Sequence, residues 1–523
     1  PVAIVASREP ALVVGMLAAM IAGRTFSLIP IETNIHQISR QLEQISPAVV
    51  LLGKESMHLN DVHQLSYQCI EVDFESLAST DKVERINSIE SFAIEKISYL
   101  SFTSGSEGAQ KVVRGNDSSW LPSFNYFNQS FELNEEFSGA LLSGIGHDPL
   151  HRDVLMTLAR GACIFIPTPV ELSPQNIVNW LHLNQVRVLN LTPSLAKLLL
   201  KAKGEYKLSN VKLVLLCGEN LTVKTAKDLQ QFLPHAELVN MYGATETQQV
   251  LSFFPLPKNI CSQTNVLPVA NKVLNGELYL VSSHGAKCVV NEPGEVVVNS
   301  PYIACGYLDN TLSSTDKFSK SPYLEKNYKT GDLGIINEHG QLLILGRKDR
   351  QLKINGYRVE PAEIEHALMT HESIVAAKVL CSRSENSAFL RAFIQLNDAG
   401  SLCQDQLRDY LCNYLPTYML PNSIVSVDTW PMNSHGKIDD KALLSLNQGL
   451  DVKGDVKPRN QTEEYIHSLW CQALKREKIS INQNFYQAGG QSIQAAEIIV
   501  KIEEQYQVSI TLKEFLMDST IER

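Results

Sequence analysis

Residues 186–217 read VRVLNLTPSLAKLLLKAKGEYKLSNVKLVLLC, with short apolar runs at 186–191 and 213–217 and a helix-like stretch between them. The runs at residues 48–52 and 162–166 have the same character and also lie among amphipathic, helix-like segments. Short apolar strands separated by helices are typical of parallel sheets covered by helices. The pattern predicts an α/β fold for the first two thirds of the chain.

The sequence changes character near Gly276. Three closely spaced strand-like runs follow, ELYLV at 277–281, GEVVVN at 294–299 and QLLILG at 341–346, broken by Gly, Asn and Pro. Strands separated by such turn residues are typical of hairpins. We therefore expect an antiparallel or mixed sheet in this region.

Three further segments complete the predicted organisation. Residues 349–446 include a helix pattern at Pro361–Met369 and a strand run, which indicates a small α+β subdomain after a large subdomain over residues 1–348. Residues 447–458 (NQGLDVKGDVKP) contain two glycines, several charges and no apolar period, as expected of a linker. Residues 459–523 have helical periodicity and almost no strand signal, so we expect a separate helical domain there.

Composition excludes several classes of function. The net charge of −10 speaks against a general binder of nucleic-acid polymers, because an acidic surface repels phosphate. The longest uncharged apolar stretch, residues 11–23, is too short to span a bilayer, so we expect a buried helix there and no membrane partner. Ten cysteines without a CxxC pair, and no signal-peptide pattern, favour reduced thiols and a cytoplasmic location.

Residues 103–111, TSGSEGAQK, follow a strand-like run and offer small hydroxyl side chains and free backbone amides. Such groups can surround a polyphosphate, and Lys111 would supply the counter-charge. The segment is not a Walker A loop, because Lys111 does not directly follow a glycine and no Ser or Thr follows it. Taken alone, it equally fits a flexible surface turn.

Two further glycine-containing segments carry carboxylates. The turn at 328–332 (YKTGD) ends in Asp332, which can accept hydrogen bonds from two ribose hydroxyls, although an Asp after Gly is also an ordinary turn former. The stretch 240–246 (NMYGATE) offers Tyr242 as an aromatic face for a base and Glu246 as a ligand for Mg²⁺ beside phosphate. Its alternative is an ordinary junction between a strand and a loop.

Three later motifs add basic groups and a serine. Residues 346–360 begin GRKD and end GYRVE, a basic segment that fits either phosphate or a solvated surface. Lys437 follows a glycine near the end of the small subdomain, where a lone lysine is exposed by default. Ser492 follows the double glycine of GGQS and precedes a helical period, which also fits a helix N-cap.

In this order the motifs resemble one family, the adenylation domain of nonribosomal peptide synthetases followed by a peptidyl carrier domain. Adenylation domains belong to the adenylate-forming superfamily with acyl-CoA ligases and luciferases. The resemblance covers nearly the whole chain and implies a large α/β subdomain, a small α+β subdomain and an all-α, four-helix carrier domain. It enters the family pattern part-way and stops at Arg523, so we expect the usual first part of the adenylation domain, and the end of the carrier domain, to be absent.

The resemblance implies roles for individual residues. Lys437 would bridge the substrate carboxylate and the α-phosphate, Glu246 would bind Mg²⁺, Asp349 would be the hinge of the small subdomain, and Ser492 would receive 4′-phosphopantetheine. The catalytic set is Lys437, Thr103, Ser104, Lys111 and Glu246. The nucleotide-binding set is Gly218, Glu219, Asn220, Tyr242, Thr245, Asp332, Arg347 and Arg358.

The resemblance also implies a substrate pocket in which Asp148 binds the α-ammonium group of an amino acid. Its remaining walls would be Pro149, Arg152, Asn190, Leu215, Cys217, Met241, Gln249 and Val250. Arg152 would suit a polar or acidic substrate side chain. Alternatively, it would pair with Asp148 or Asp153 and close the pocket around a small apolar side chain.

A metal site is a competing interpretation of the same segment. His147 and His151 are i, i+4 partners flanked by Asp148 and Asp153. Pro149 disrupts a regular helix between them, and no third ligand is evident, so the pocket interpretation is preferred.

The implied activity is activation of an amino acid by ATP as aminoacyl-AMP, then transfer to the phosphopantetheine thiol of the carrier domain, in nonribosomal peptide biosynthesis. The implied cofactors are ATP, Mg²⁺ and 4′-phosphopantetheine. The implied partners are the amino acid, a phosphopantetheinyl transferase and neighbouring synthetase domains for condensation, thioester hydrolysis or tailoring. The alternatives are an acyl- or aryl-CoA ligase, and a catalytically silent scaffold that presents a carrier domain.

Overall fold

The computed structural model divides the chain into two compact units, Pro1–Glu360 and Pro361–Arg523. The described residues are all those outside 32, 54–61, 63–65, 73–96, 105–109, 118–119, 203–205, 249, 261–266, 271, 274–275, 310–316, 321–325, 355–356, 385–386, 398–403, 433–437, 447–455, 475–478, 484, 486–487, 489–491, 507, 509, 511–514, 516–518 and 523. Within the described part of the chain, no helix combines the length and the apolar character that crossing a membrane requires.

The first unit contains two large sheets. One has six strands and is parallel except at its last strand. In spatial order its strands are Cys69–Glu71, Val49–Leu52, Val2–Ala6, Phe26–Pro30, Tyr99–Thr103 and Lys111–Gly115. Helix Ile35–Ile45 packs on one face through Ile38, Leu42 and Ile45.

The second sheet has seven strands, parallel in the middle and antiparallel at one edge. In order they are Lys272–Val273, Val250–Pro255, Glu237–Gly243, Leu213–Leu216, Val188–Leu191, Gly139–Ala140 and Ile164–Phe165. One face is covered by helices Ile177–Leu183, Pro193–Lys201 and Val223–Phe232.

A single apolar core joins the facing sides of these two sheets. It includes helix Pro10–Ile21, which confirms the buried helix expected near residues 11–23, and helix Trp120–Ser130. The helical segment formed by Pro149–His151 and Arg152–Met156 contributes Leu150, Val154 and Met156. Parallel strands with helices on both faces confirm the predicted α/β fold.

The region after Gly276, where the sequence changes character, forms an antiparallel sheet, as predicted. Strand Lys326–Ile336 pairs with Gly294–Ser300, Phe318–Lys320 and Leu342–Arg347, and Glu277–Val281 pairs with Gly294–Ser300. A two-stranded hairpin, Leu352–Ile354 and Tyr357–Val359, ends the first unit.

The second unit begins with helix Pro361–Met369, the helix predicted from the sequence. Its three-stranded sheet consists of Ile374–Ser384, Ser387–Leu396 and Ser423–Ser426. The remaining helices are Gln404–Cys412, Asp440–Ser445, Gln461–Leu474 and Ser492–Tyr506. Trp470 and Phe485 centre a separate apolar cluster within residues 469–521. Most of the predicted linker lies outside the described residues.

Candidate functional site

Asp332, the predicted ribose ligand, is buried and held by two side chains. The Tyr242 hydroxyl donates a 2.6 Å hydrogen bond to its Oδ2, and Arg347 Nη1 lies 2.9 Å from its Oδ1. Burial and the neighbouring Asp332 carboxylate raise the pKa of Tyr242, so its hydroxyl stays a donor. The sequence placed Tyr242 and Asp332 in the same site, and the structure brings them into direct contact.

Gly331 shapes the turn before Asp332. Its φ is +79°, in the left-handed region that favours glycine, and a Cβ there would lie 2.7 Å from Nη2 of Arg347. Arg347 passes through that space and forms two hydrogen bonds with Asp349, 2.8 Å from Nε and 2.6 Å from Nη2. The expected hinge residue is therefore tied through Arg347 to the expected ribose ligand.

Glu246, the expected magnesium ligand, is fully buried. Its Oε1 accepts hydrogen bonds of 2.6 Å from the Tyr307 hydroxyl and from Arg358 Nη1. Burial by itself raises the pKa of this carboxyl, but the Arg358 charge and the two hydrogen bonds outweigh it and lower the pKa to about 2. The group is therefore ionised at neutral pH.

The second oxygen of Glu246 provides a test for Mg²⁺. Oε2 is buried and has no hydrogen-bond partner among the described residues. An ionised carboxylate oxygen without a partner is a ligand that Mg²⁺ prefers, so the donor fits this ion. Glu246 would hold Mg²⁺ through Oε2 while Oε1 stays bonded to Tyr307 and Arg358.

The loop predicted to close on phosphate begins and ends on paired strands. Thr103 and Lys111 are register partners of antiparallel strands, and residues 105–109 between them lie outside the described residues. Ser104 Oγ is buried without a hydrogen-bond partner in the described part of the chain. Lys111 Nζ lies 5.3 Å from the ring centroid of Tyr307, which connects this loop to the Glu246 cluster.

Tyr307 is a residue of the site that the sequence motifs do not mark. It lies in no recognised pattern, and its partner Glu246 is 61 residues away in the sequence. The antiparallel bridge between Val113 and Tyr307, with flanking backbone hydrogen bonds such as that from Leu308 N–H to Val112, brings it beside the phosphate loop. No local signal in the sequence marks this role.

Asp148, the expected ammonium ligand, lies at the start of helix Pro149–His151. It accepts a 3.1 Å hydrogen bond from the Thr245 hydroxyl. Burial raises its pKa, opposed by this hydrogen bond and by the charge of Arg152. Thr245 precedes Glu246 in one 3₁₀ turn, so the expected amino-acid site and the expected magnesium site share a turn.

The pocket walls come from adjacent strands of the seven-stranded sheet. Asn190 and Leu215 are register partners, and Leu215 and Met241 belong to the core on that face, with Cys217 packed against it. Asn190 accepts a 2.9 Å hydrogen bond from Nε of Arg152, and both residues are buried. Four of the predicted wall residues thus share one face of the sheet, and Arg152 bonds to that face from the helical segment Arg152–Met156.

The other predicted site residues lie at several places in the structure. Gln249 and Lys437 lie outside the described residues. Pro149 begins its helix, and Val250 and Ser492 begin a strand and a helix. Gly218 has a φ of +96°, Glu219 Oε2 accepts hydrogen bonds from the backbone N–H and hydroxyl of Ser194, and Asn220 is exposed.

The competing metal interpretation has no support in the geometry. The ring centroid of His147 lies 4.2 Å from that of Tyr357, whereas the ring of His151 packs against the stacked rings of Tyr99 and Trp120, at 4.7 and 5.2 Å. Burial lowers the pKa of His147 to about 4 and that of His151 to about 3. In the described residues no group of three or more His, Cys, Asp or Glu side chains could hold a metal ion.

Two protein families match parts of the chain. The AMP-binding enzyme family matches residues 1–308, more than half of the chain. The chain belongs to the AMP-binding enzyme family. The phosphopantetheine attachment site family matches residues 464–523. Together these matches confirm the resemblance found in the sequence motifs.

This AMP-binding enzyme is similar to two bacterial synthetases. It is 28% identical over 523 residues to bacitracin synthase 3 of Bacillus licheniformis, covering 99% of this chain and 8% of that protein. It is 29% identical over 526 residues to tyrocidine synthase 1 of Brevibacillus parabrevis, covering 98% of this chain and 46% of that protein. The chain therefore spans less than half of the length of either relative.

The fold is that of solved adenylation–carrier proteins. Holo-PA1221, an NRPS protein containing adenylation and PCP domains bound to a vinylsulfonamide inhibitor, superposes with a TM-score of 0.78. The identity is 20%, and the match covers 97% of this chain and 84% of that chain. The predicted fold class is thus confirmed, and the two matched families fit ATP and 4′-phosphopantetheine as cofactors.

The Glu246 cluster predicts a pH-dependent contribution to stability. A pKa lowered from 4.5 to about 2 stabilises the fold above pH 4.5 by about 3 kcal/mol, and this contribution is lost as the pH falls from 4.5 towards 2. Glu246→Gln should therefore lower the melting temperature at pH 7, by a difference that narrows below pH 4.5. Thermal melts at several pH values measure it.

Glu277→Gln is the matched control, because Glu277 is an exposed partner of Lys287 and such pairs contribute little. Its melting temperature should follow that of the wild type throughout. Equal melting temperatures of Glu246→Gln and wild type at pH 7 would contradict the stabilising role of the cluster.

Proposed function

We propose that this AMP-binding enzyme activates an amino acid with ATP as aminoacyl-AMP and passes the aminoacyl group to a phosphopantetheine thiol on its own carrier domain. The observation that carries this proposal is the 3₁₀ turn at Thr245–Thr247. Through Thr245 it contacts Asp148, and through Glu246 it offers an ionised carboxylate for Mg²⁺. One turn would thus hold the proposed ammonium site beside the proposed site of the reacting phosphate.

In this mechanism the protein positions two reactants and offsets charge. Asp332 would accept hydrogen bonds from the ribose, with Tyr242 and Arg347 fixing its carboxylate. Asp148 would orient the amino acid by its α-ammonium group, so that its carboxylate faces the α-phosphate. No protein nucleophile is needed, so catalysis rests on proximity and electrostatics.

Further charged groups would act on the developing transition state. Lys437 and Lys111 would offset negative charge on the phosphates, together with the hydroxyls of Thr103 and Ser104. Mg²⁺, when bound at Glu246, would supply additional positive charge beside the phosphates. Because Glu246 is buried, its attraction for such an ion would be weakened less by water than at an exposed carboxylate.

The second half of the reaction would use Ser492. It would carry 4′-phosphopantetheine, installed by a separate transferase, and that group would supply the attacking thiol. Support comes from the attachment-site family match over residues 464–523 and from the position of Ser492 at the start of helix Ser492–Tyr506. Neighbouring synthetase domains would then use the product.

The two alternatives from the sequence are less favoured. A CoA ligase for aryl or acyl acids has no use for a buried carboxylate at the position of Asp148, nor for an attached carrier domain. A silent scaffold would have no need to keep Glu246, Arg358, Asp332 and Arg347 as buried or half-buried ion pairs.

Lys437→Ala should reduce ATP–pyrophosphate exchange by at least 100-fold, because a positive charge is removed from the transition state. Nucleotide binding and thermal stability should change little. Lys441→Ala, an exposed lysine of helix Asp440–Ser445, is the control and should exchange like the wild type. Unchanged exchange in Lys437→Ala would refute the assignment.

Ser492→Ala should abolish covalent loading of a radiolabelled amino acid after treatment with a phosphopantetheinyl transferase. Adenylation does not use this hydroxyl, so exchange should continue. Ser468→Ala, an exposed serine of helix Gln461–Leu474, should still load. Loading that persists in Ser492→Ala would place the attachment site elsewhere.

Asp148→Asn should raise the KM for the amino acid by about 100-fold or more in the exchange assay, because the charge that pairs with the ammonium is lost. The KM for ATP should stay within a few-fold. Asp409→Asn, an exposed aspartate on helix Gln404–Cys412, should leave both constants unchanged. An increase confined to the KM for ATP would show that Asp148 does not bind the amino acid.

A further inference from the structure

Arg152 is a buried cation in an apolar environment. Its exposed fraction is 4%, and it lies on the helical segment whose neighbours Val154 and Met156 belong to the main core. The strand face opposite is apolar except for Asn190, and Arg152 Nε donates a 2.9 Å hydrogen bond to Asn190 Oδ1. Charged side chains are almost never this buried unless they are paired.

No carboxylate pairs with Arg152. Among the described residues, no Asp or Glu oxygen lies within 4.0 Å of its guanidinium nitrogens, and Asn190 is its only hydrogen-bond partner. A guanidinium has five N–H donors, so four of them have no partner in this part of the chain. The protein therefore buries a positive charge that it does not neutralise by a contact ion pair.

The two neighbouring carboxylates are engaged elsewhere. Asp153 Oδ2 accepts hydrogen bonds of 3.0 and 2.8 Å from the backbone N–H groups of Leu142 and Ser143. Asp148 accepts a hydrogen bond from Thr245. The charge of Arg152 acts on both carboxyls, but neither forms a contact ion pair with it, which favours the acidic substrate over the alternative of a pocket closed around a small apolar side chain.

A second cation acts on the same pocket. Burial raises the pKa of the Cys217 thiol, whereas the charges of Arg152 and Lys353 lower it and that of Asp148 raises it. The charges that act on this thiol are therefore two positive ones and one negative one, and the charge of Arg152 also acts on the buried carboxyl of Asp153. Once Asp148 is matched by a substrate ammonium group, no carboxylate among the described residues is in direct contact with the guanidinium of Arg152.

We propose that the amino acid activated by this enzyme has an anionic, carboxylate-bearing side chain, which binds Arg152 while Asn190 fixes the guanidinium. The inference rests on the proposed function, in which Asp148 binds the α-ammonium group of the same substrate. A guanidinium presents parallel donors that match a carboxylate in geometry and charge. A neutral amide side chain has the same shape, but only one acceptor oxygen and no charge, so its NH2 group would face a guanidinium donor. An aliphatic side chain would offer no acceptor at all.

The test compares isosteric amino acids in the full chain. Exchange and calorimetric binding are measured with aspartate, asparagine, glutamate, glutamine, leucine and valine. We expect one of the two acidic amino acids to give the highest kcat/KM, about 100-fold or more above its own amide, since a site built for a charged group rejects the analogue that lacks it. Arg152→Gln should reduce this ratio to below about 10-fold, and Arg152→Lys should retain part of it.

The outcomes separate the inference from the proposed function. Exchange that is highest with a neutral amino acid would overturn the acidic substrate and leave the activity intact. Tight calorimetric binding of an acidic amino acid that Arg152→Gln abolishes, without exchange by any amino acid, would uphold the inference and overturn the activity. If Arg152→Gln melts at a much lower temperature, the wild-type ratio of acid to amide decides alone.

Discussion

A single buried carboxylate, Glu246, connects the parts of the candidate site. Its Oε1 accepts hydrogen bonds from Tyr307, in the segment beside the phosphate loop, and from Arg358, in the last hairpin of the first unit. The same 3₁₀ turn places Thr245 on Asp148. Because Glu246 is fully buried and ionised, the contacts from Arg358 and Tyr307 compensate its charge, so the geometry of the site is coupled to the stability of the fold.

A second buried carboxylate, Asp153, anchors the helical segment next to this site. Asp153 accepts two backbone N–H groups at the end of strand Gly139–Ala140, and burial raises its pKa to about 6, opposed by those hydrogen bonds and by Arg152. It fixes the helix that carries Arg152 to the sheet that carries Asn190. The unpaired guanidinium is therefore held by a rigid frame, and a substrate that neutralises it would meet a preorganised donor.

The fold was predictable from the sequence where its periodicity was strong. The helix Pro361–Met369 and the antiparallel sheet after Gly276 follow from local patterns. At the site, the motif order placed Tyr242 and Asp332 in one nucleotide-binding set, although not in direct contact. The role of Tyr307 and the partner of Arg152 could not be predicted, because both depend on contacts between residues far apart in the chain. Arg152 and its partner Asn190, for example, are 38 residues apart.

A crystal structure with a non-hydrolysable aminoacyl-adenylate analogue, an aminoacyl sulfamoyl-adenosine, tests the central claim most directly. The account predicts the ribose hydroxyls within hydrogen-bond distance of Asp332 and the α-ammonium group on Asp148, on either side of the turn at Thr245–Thr247. An analogue bound with its ribose away from Asp332, or with its ammonium group away from Asp148, would contradict the account.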